Sequence, residues 1–373
     1  MLTDTLKGMR IIDLGIYIPG PTASLMLSDL GAEVVKVESP AGDPLAGMGP
    51  FDAEGRSIPY EALNRNKTVV TLDLKSDEGK TQFAELVRRS HVLVESFRPG
   101  VLDRLGFERS ILEAINPHLL HCAISGWGQT GPMAKTAGHD LTHLALSGAL
   151  WTSGTPDRPT IPFPPMADHA GALMAVSAVL AGLLRRMRTG KGGKVEISLY
   201  EAMLAFNRMG LASAGAQGLG REIEELNGGA ACYRVYDCKE GGHLAVAPIE
   251  PKFWAIFCQA IGAEELIDRL NEPLPQTDLI AAVAERIAKK SRAEWEAVFA
   301  DLDCCVAPVL TPAEAAQGDQ ARQREVLQSY AEDGAAAEVL CPILMDGAPP
   351  PGRKPLIRRT PEDMLARWKR LGH

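Results

Sequence analysis

The chain contains no CxxC pair, and its seven cysteines (Cys122, Cys232, Cys238, Cys258, Cys304, Cys305 and Cys341) make an odd count. This argues against a disulfide framework and against a thiolate zinc site, and reduced cytosolic thiols are the simplest reading. A positive surplus is also missing: 39 Lys and Arg face 47 Asp and Glu, a net charge of −8 over 373 residues. Counterion-driven binding to nucleic acid or to an anionic membrane is therefore not favoured, and neither is expected as a partner. The longest apolar run, Ala170 to Leu184, is 15 residues with two glycines and a serine. That is short of the roughly 20 a membrane span needs, so it reads as a buried core helix. Met1 to Arg10 lacks an apolar core and a small-residue cleavage site, which leads to the expectation of a cytoplasmic protein. Repeats and low-complexity tracts are absent as well. The remaining composition, 46% hydrophobic and 23% charged, is that of a globular chain long enough for about two domains.

The opening pattern is strand, turn, helix, strand. Ile11–Leu14 is a short apolar run, Gly15 to Pro21 a Gly/Pro turn, and Leu25, Leu27 and Leu30 recur at helical spacing in Thr22–Leu30 before Gly31 stops the helix. Glu33–Glu38 follows as a second strand, and so tight a strand–crossover–strand repeat implies a parallel α/β sheet. After a Gly/Pro-rich excursion the pattern resumes with strands at Thr68–Leu72, His91–Glu95, Leu119–Ser125 and Val195–Leu199. Helices are expected at Asp77–Arg89, Asp168–Arg188 and Glu201–Ser213. The division is a large Rossmann-like domain over 1–200, a linker over 201–232, a smaller α+β domain over 233–312, and a linker and C-terminal segment over 313–373.

Two constellations invite a chemical reading. In the first turn, Gly15-Ile16-Tyr17-Ile18-Pro19-Gly20-Pro21 fails the GxGxxG spacing, and Pro19 and Pro21 remove backbone donors that a pyrophosphate would need. Glu38 imitates the ribose-binding acid of that motif but reads as a solvated strand end. In Gly138-His139-Asp140-Leu141-Thr142-His143 the two histidines share a helical face at i and i+4. No Glu lies between them as in metalloproteases and no third ligand is evident, so no metal is expected. A His and an Asp that open a helix after a glycine suit general acid/base work, although such a His is more often a packing or helix-start residue.

The same spans carry a resemblance. Leu27-Ser28-Asp29-Leu30-Gly31-Ala32-Glu33-Val34-Val35-Lys36-Val37-Glu38, Leu63-Asn64-Arg65-Asn66-Lys67, Phe97-Arg98-Pro99-Gly100-Val101 and Ser125-Gly126-Trp127-Gly128-Gln129-Thr130-Gly131-Pro132 resemble the family III CoA-transferases (CaiB/BaiF), a group that includes the α-methylacyl-CoA racemases. The matches keep their order from residue 8 to about 315. The resemblance implies an interlocked homodimer of linked rings, a tail that rejoins the large domain, and an active site between the large domain of one subunit and the small domain of the other. It also implies an acyl-CoA substrate and no cofactor beyond the CoA that the substrate carries. Lys36, Arg65, Lys67 and Arg98 then become candidates to meet its phosphates.

Within the family, Gly138-His139-Asp140 resembles the racemases, in which the His is an acid/base; transferases place a Tyr before an Asp that becomes acylated. Asp168 matches the second racemase base, a position where transferases also hold an Asp. Glu250 matches the glutamate that partners the His, and Asp303-Cys304-Cys305-Val306-Ala307-Pro308 is racemase-like too. The insert over 41–60 instead resembles the transferases. The expected activity is epimerisation of a 2-methylacyl-CoA by two-base α-proton transfer through an enolate. The alternative is CoA transfer to a carboxylic acid through an aspartyl-CoA thioester on Asp140. A third reading, a CoA-binding protein without turnover, is opposed by the intact His139, Asp140, Asp168 and Glu250.

Overall fold

The computed structural model describes residues 1–214, 220–329 and 337–370. They form two compact units, Met1–Ser147 with Pro164–Phe206 and Ala316–His373, and Gly148–Phe163 with Asn207–Ala315.

The first unit is built on seven strands: β1 (Arg10–Leu14), β2 (Glu33–Glu38), β3 (Thr68–Thr71), β4 (Val92–Glu95), β5 (Leu120–Ser125), β6 (Gly193–Ser198) and β7 (Ile357–Arg358). All neighbours are parallel, in the order β7-β3-β2-β1-β4-β5-β6. β1, β4 and β5 are buried at every residue, because helices cover both faces of a parallel sheet. Strand order reverses beside β1, where the chain goes outward to β2 on one side and to β4 on the other. In open α/β sheets, ligands bind at such a switch, outside the carboxyl ends of the strands.

The helices that matter here are α1 (Pro19–Asp29), α2 (Asp77–Arg89), α3 (Arg109–Ile115), α4 (Asp140–Leu146), α5 (Met166–Thr189), α6 (Leu199–Phe206) and α7 (Pro361–Arg370). α1 starts on Pro19, whose missing N–H costs nothing in a first helical turn. In α2 the Ser76 hydroxyl accepts the Gly79 N–H at 3.0 Å, acidic residues lead and arginines close, and Phe83, Leu86 and Val87 face inward. α7 packs on α2 and contributes fully buried Trp368 to the same core. The apolar run lies inside α5, whose 24 residues are long and apolar enough to cross a membrane by length and composition. One side, with Ala170, Ala175, Val179 and Leu183, is buried against α1, β5, β6 and α6, while Leu173, Leu184 and Met187 are exposed.

The second unit has a three-stranded antiparallel sheet, with His243–Val246 between Arg234–Asp237 and Val306–Pro308. Its core centres on Trp254, Phe257 and Trp295.

Three readings of the sequence need correction. Gly148–Phe163, placed in the large domain, groups with the second unit: the Arg221 guanidinium lies 4.8 Å over the Trp151 ring and donates to the carbonyls of Trp151, Thr155 and Pro156. The helix expected over Glu201–Ser213 is two helices, α6 and Arg208–Ser213, separated at Asn207. Glu38 is not solvated; it is buried, accepting the Tyr60 hydroxyl at 2.6 Å and facing Arg358 at 3.4 Å. All seven cysteines are free thiols.

Candidate active site

A cavity of about 590 Å³ opens at the carboxyl ends of β1, β4 and β5. Its walls come from the segments that leave those strands: Ile16 to Pro19, Ser96 to Pro99, and Ser125 to Trp127. His139, Asp140, His143 and Asp168 line it from α4 and α5, and Leu45, Met48 and Leu199 add apolar surface.

The first wall is held by a buried charge network. Asp13, the fourth residue of β1, accepts the Gly15 N–H at 2.7 Å, the Ser24 hydroxyl at 2.5 Å and the Lys67 ammonium at 3.1 Å. The turn is too tight for a side chain at Gly15, where a Cβ would sit 2.8 Å from both Asp13 Oδ1 and the Gly20 Cα. Burial alone would raise the Asp13 pKa, but Lys67, Lys36 and these hydrogen bonds hold the carboxylate below its usual range. The Lys67 ammonium is driven down to about 8, mainly by burial. Its three protons are all used, on Asp13, the Pro21 carbonyl and Asn64 Oδ1. Lys36 donates to the Gly15 carbonyl and to Asp43 Oδ2, and Asp43 Oδ1 accepts the Tyr17 and Leu45 N–H groups.

This overturns part of the proposed phosphate set. The side chains of Lys36 and Lys67 are fully enclosed and paired with carboxylates. Arg65 is buried on Glu338, which also binds Arg353, so it fastens the C-terminal segment. Lys36 and Lys67 position the loop that walls the cavity, Arg65 holds the C-terminal segment, and all three are paired with carboxylates. Arg98 differs: it is exposed and lines the cavity.

His139 precedes α4 and its backbone is pinned by Thr142, whose hydroxyl accepts the His139 N–H at 3.0 Å and donates to the His139 carbonyl at 2.7 Å. The imidazole itself is exposed on the cavity. Asp140 Oδ1 accepts the N–H groups of Ala167 at 2.6 Å and Asp168 at 3.1 Å, so its carboxylate satisfies the first turn of α5. Asp168, half-buried and the third residue of α5, has its pKa raised to about 7 by burial and by the neighbouring Asp140 charge. A carboxyl group titrating near neutrality, on the same cavity as an exposed imidazole, can exchange protons in either direction.

Glu250 lies in the second unit, exposed at the start of Pro251–Ala260, and is not among the residues lining this cavity. His143, by its spacing from His139, is in the sequence a possible metal ligand and nothing more. It is instead a buried ring packed edge-to-face on Trp127 at 4.4 Å, with Nδ1 enclosed and without a hydrogen-bond partner. Burial lowers its pKa. A Cβ at Gly126 or at Gly138 would lie 2.7 Å from its Cε1, so both glycines make room for the imidazole. Among the described residues no group of three or more His, Cys, Asp or Glu is placed to hold a metal ion.

Comparison with known proteins settles the family. The model of CoA-transferase family III matches residues 6–356. The chain belongs to CoA-transferase family III. Among its relatives in that family is the α-methylacyl-CoA racemase of Mus musculus, 33% identical over 363 residues, covering 95% of this chain and 87% of that enzyme. The acetyl-CoA:oxalate CoA-transferase of Acetobacter aceti is 32% identical over 330 residues, 86% of this chain and 84% of that one. A crystal structure of a CaiB/BaiF family protein from Brucella suis superimposes with a TM-score of 0.83 at 29% identity, covering 98% of this chain and 99% of that one. The parallel seven-stranded sheet is thus the family fold, and this family III chain is an enzyme of the transferase/racemase type.

Proposed function

We propose that the protein epimerises a 2-methylacyl-CoA at the carbon next to the thioester carbonyl. The observation that carries this reading is the position of Asp140: its carboxylate is engaged by two backbone N–H groups of α5, while His139 and Asp168 both line the cavity. A base on each face of the α-carbon removes the proton to give an enolate and returns it from the other side. His139 is assigned one face and Asp168 the other, and Arg98 is assigned a CoA phosphate. Glu250 of the partner subunit would accept the far N–H of His139 and fix its tautomer. That assignment requires the interlocked homodimer, which the exposed Leu173, Leu184 and Met187 of α5 favour. The reaction needs no cofactor beyond the CoA of its substrate, and seven free thiols suit the cytoplasm.

CoA transfer is the second reading. It is supported by the presence of Asp140 on the cavity and by transferase relatives such as the Mus musculus succinyl-CoA:glutarate CoA-transferase at 34% identity. One experiment separates the two. Incubation with a 2-methylacyl-CoA in deuterium oxide, without any acceptor acid, should place deuterium at the α-carbon. Label that stays out while CoA moves to an added carboxylic acid would replace epimerisation with transfer. His139→Ala should reduce exchange by ~10²–10⁴-fold, whereas Asp140→Asn, which keeps an oxygen for α5, should be milder; the opposite order supports the transferase.

A further inference from the structure

A second cavity, of about 410 Å³, lies at the opposite end of the sheet, where β5 and β6 begin. A six-residue strand spans roughly 20 Å, so this cleft is separated from the catalytic cavity by the depth of the sheet. Its rim carries Arg109, Arg185, Lys191 and Lys194, and its floor includes Leu112, Pro117 and Leu119. The one carboxylate in the lining, Glu113, is already bound by Arg109 at 2.6 Å. Lys194 pairs with exposed Glu196 at 3.0 Å. Among the described residues Lys191 has no ion-pair partner, and Arg185 uses one N–H on the Gly192 carbonyl, leaving most of its fork unassigned. Two cations are therefore uncompensated at one concave site of a protein whose net charge is −8.

Arg185 projects from the last turns of α5, and the loop that carries Lys191 is tied down by hydrogen bonds. Gly192 and Gly193 donate to the Pro117 and Leu119 carbonyls at 3.1 and 3.0 Å, and the His118 ring contacts the Gly190 carbonyl at 2.7 Å. A Cβ at Gly192 would lie 2.2 Å from the Leu119 carbonyl oxygen, so only glycine allows this approach. Also lining the cleft is His121, buried, with Nε2 lacking a hydrogen bond and Glu95 Oε1 3.5 Å away. Apolar floor, cationic rim, preset loop and unused donors together describe a site for an anion with an apolar body.

We propose that this cleft binds a small phosphorylated compound of nucleotide size, with its phosphates on Arg185 and Lys191 and its body on the Leu112–Leu119 floor. The proposal is independent of which reaction the catalytic cavity performs. Isothermal titration of the full-length protein with ADP, pyrophosphate and adenosine tests it, with Lys191→Glu and Arg98→Glu as separate variants. ADP should bind more tightly than either part alone and weaken as salt rises from 50 to 200 mM. Lys191→Glu should reduce ADP affinity at least tenfold with an unchanged melting temperature, because among the described residues the Lys191 ammonium makes no ion pair or hydrogen bond, and Arg98→Glu should leave it within twofold. Absence of ADP binding at millimolar concentration overturns the proposal. So does binding that is lost in Arg98→Glu and kept in Lys191→Glu, which would place ADP in the catalytic cavity.

Discussion

Replacing Lys67 with Met tests whether the buried cations serve the fold or the ligand. Lys67 and Asp13 both have no exposed side-chain surface and meet at 3.1 Å. Met fills a similar volume but removes three hydrogen bonds and leaves the Asp13 carboxylate enclosed with Lys36 as its remaining nearby cation. Breaking one side of a buried ion pair typically costs ~3–5 kcal/mol, a large part of the ~5–15 kcal/mol that holds a domain together. Adding Asp13→Asn removes the stranded charge, so the double variant should recover ~2 kcal/mol or more relative to Lys67→Met. The pH dependence has a definite sign. In the wild-type chain the lowered Asp13 pKa gives stability that is present above the unfolded value and lost as pH falls through the folded one. Without Lys67, burial favours the neutral Asp13 carboxyl, and its protonation on acidification relieves the stranded charge, so the deficit should be smaller at pH 4 than at pH 7. Urea denaturation of the four proteins of the cycle at both pH values measures all of this. A Lys67→Met protein with wild-type stability and a weaker, more salt-sensitive affinity for CoA would refute the structural role and return Lys67 to the phosphate set.

Asp168 titrates near 7, so α-proton exchange in the direction that uses it as base should rise through about pH 7, and that limb should vanish in Asp168→Asn; a flat profile from pH 5 to 9 contradicts it. Its raised pKa also means that stability is fully present below the unfolded value and lost as pH rises through the folded one, so Asp168→Asn should melt higher than wild type at pH 8 and equally at pH 4. Gly126→Ala drives a methyl against the His143 ring and should cost ~1–3 kcal/mol by thermal denaturation, with a repacked Trp127 visible in its fluorescence. For the interlocked homodimer proposed above, sedimentation at low concentration should show no folded monomer, since linked rings would separate only by partial unfolding.

What the sequence determined by itself is local and periodic. The strands Glu33–Glu38 and Leu119–Ser125 and the helix Asp77–Arg89 were legible because short apolar runs and the helical spacing of apolar residues act over a few residues, and the structure places them within a residue of those bounds. The motif around His139 and Asp140 was legible for the same reason, and the order of the family's motifs over most of the chain named the family that the comparisons show. What the tertiary structure alone decided is the partner of each charge. Lys67 meets Asp13 across 54 positions, Arg65 meets Glu338 across the chain, and Asp140 reaches the first turn of α5. A cation reads the same in sequence whether it will face a phosphate or a buried carboxylate, and only folding sets which of the two lies within 3 Å. The same limit applied to His143, whose spacing suggested a ligand pair and whose role is set by two glycines and a tryptophan that close around its ring.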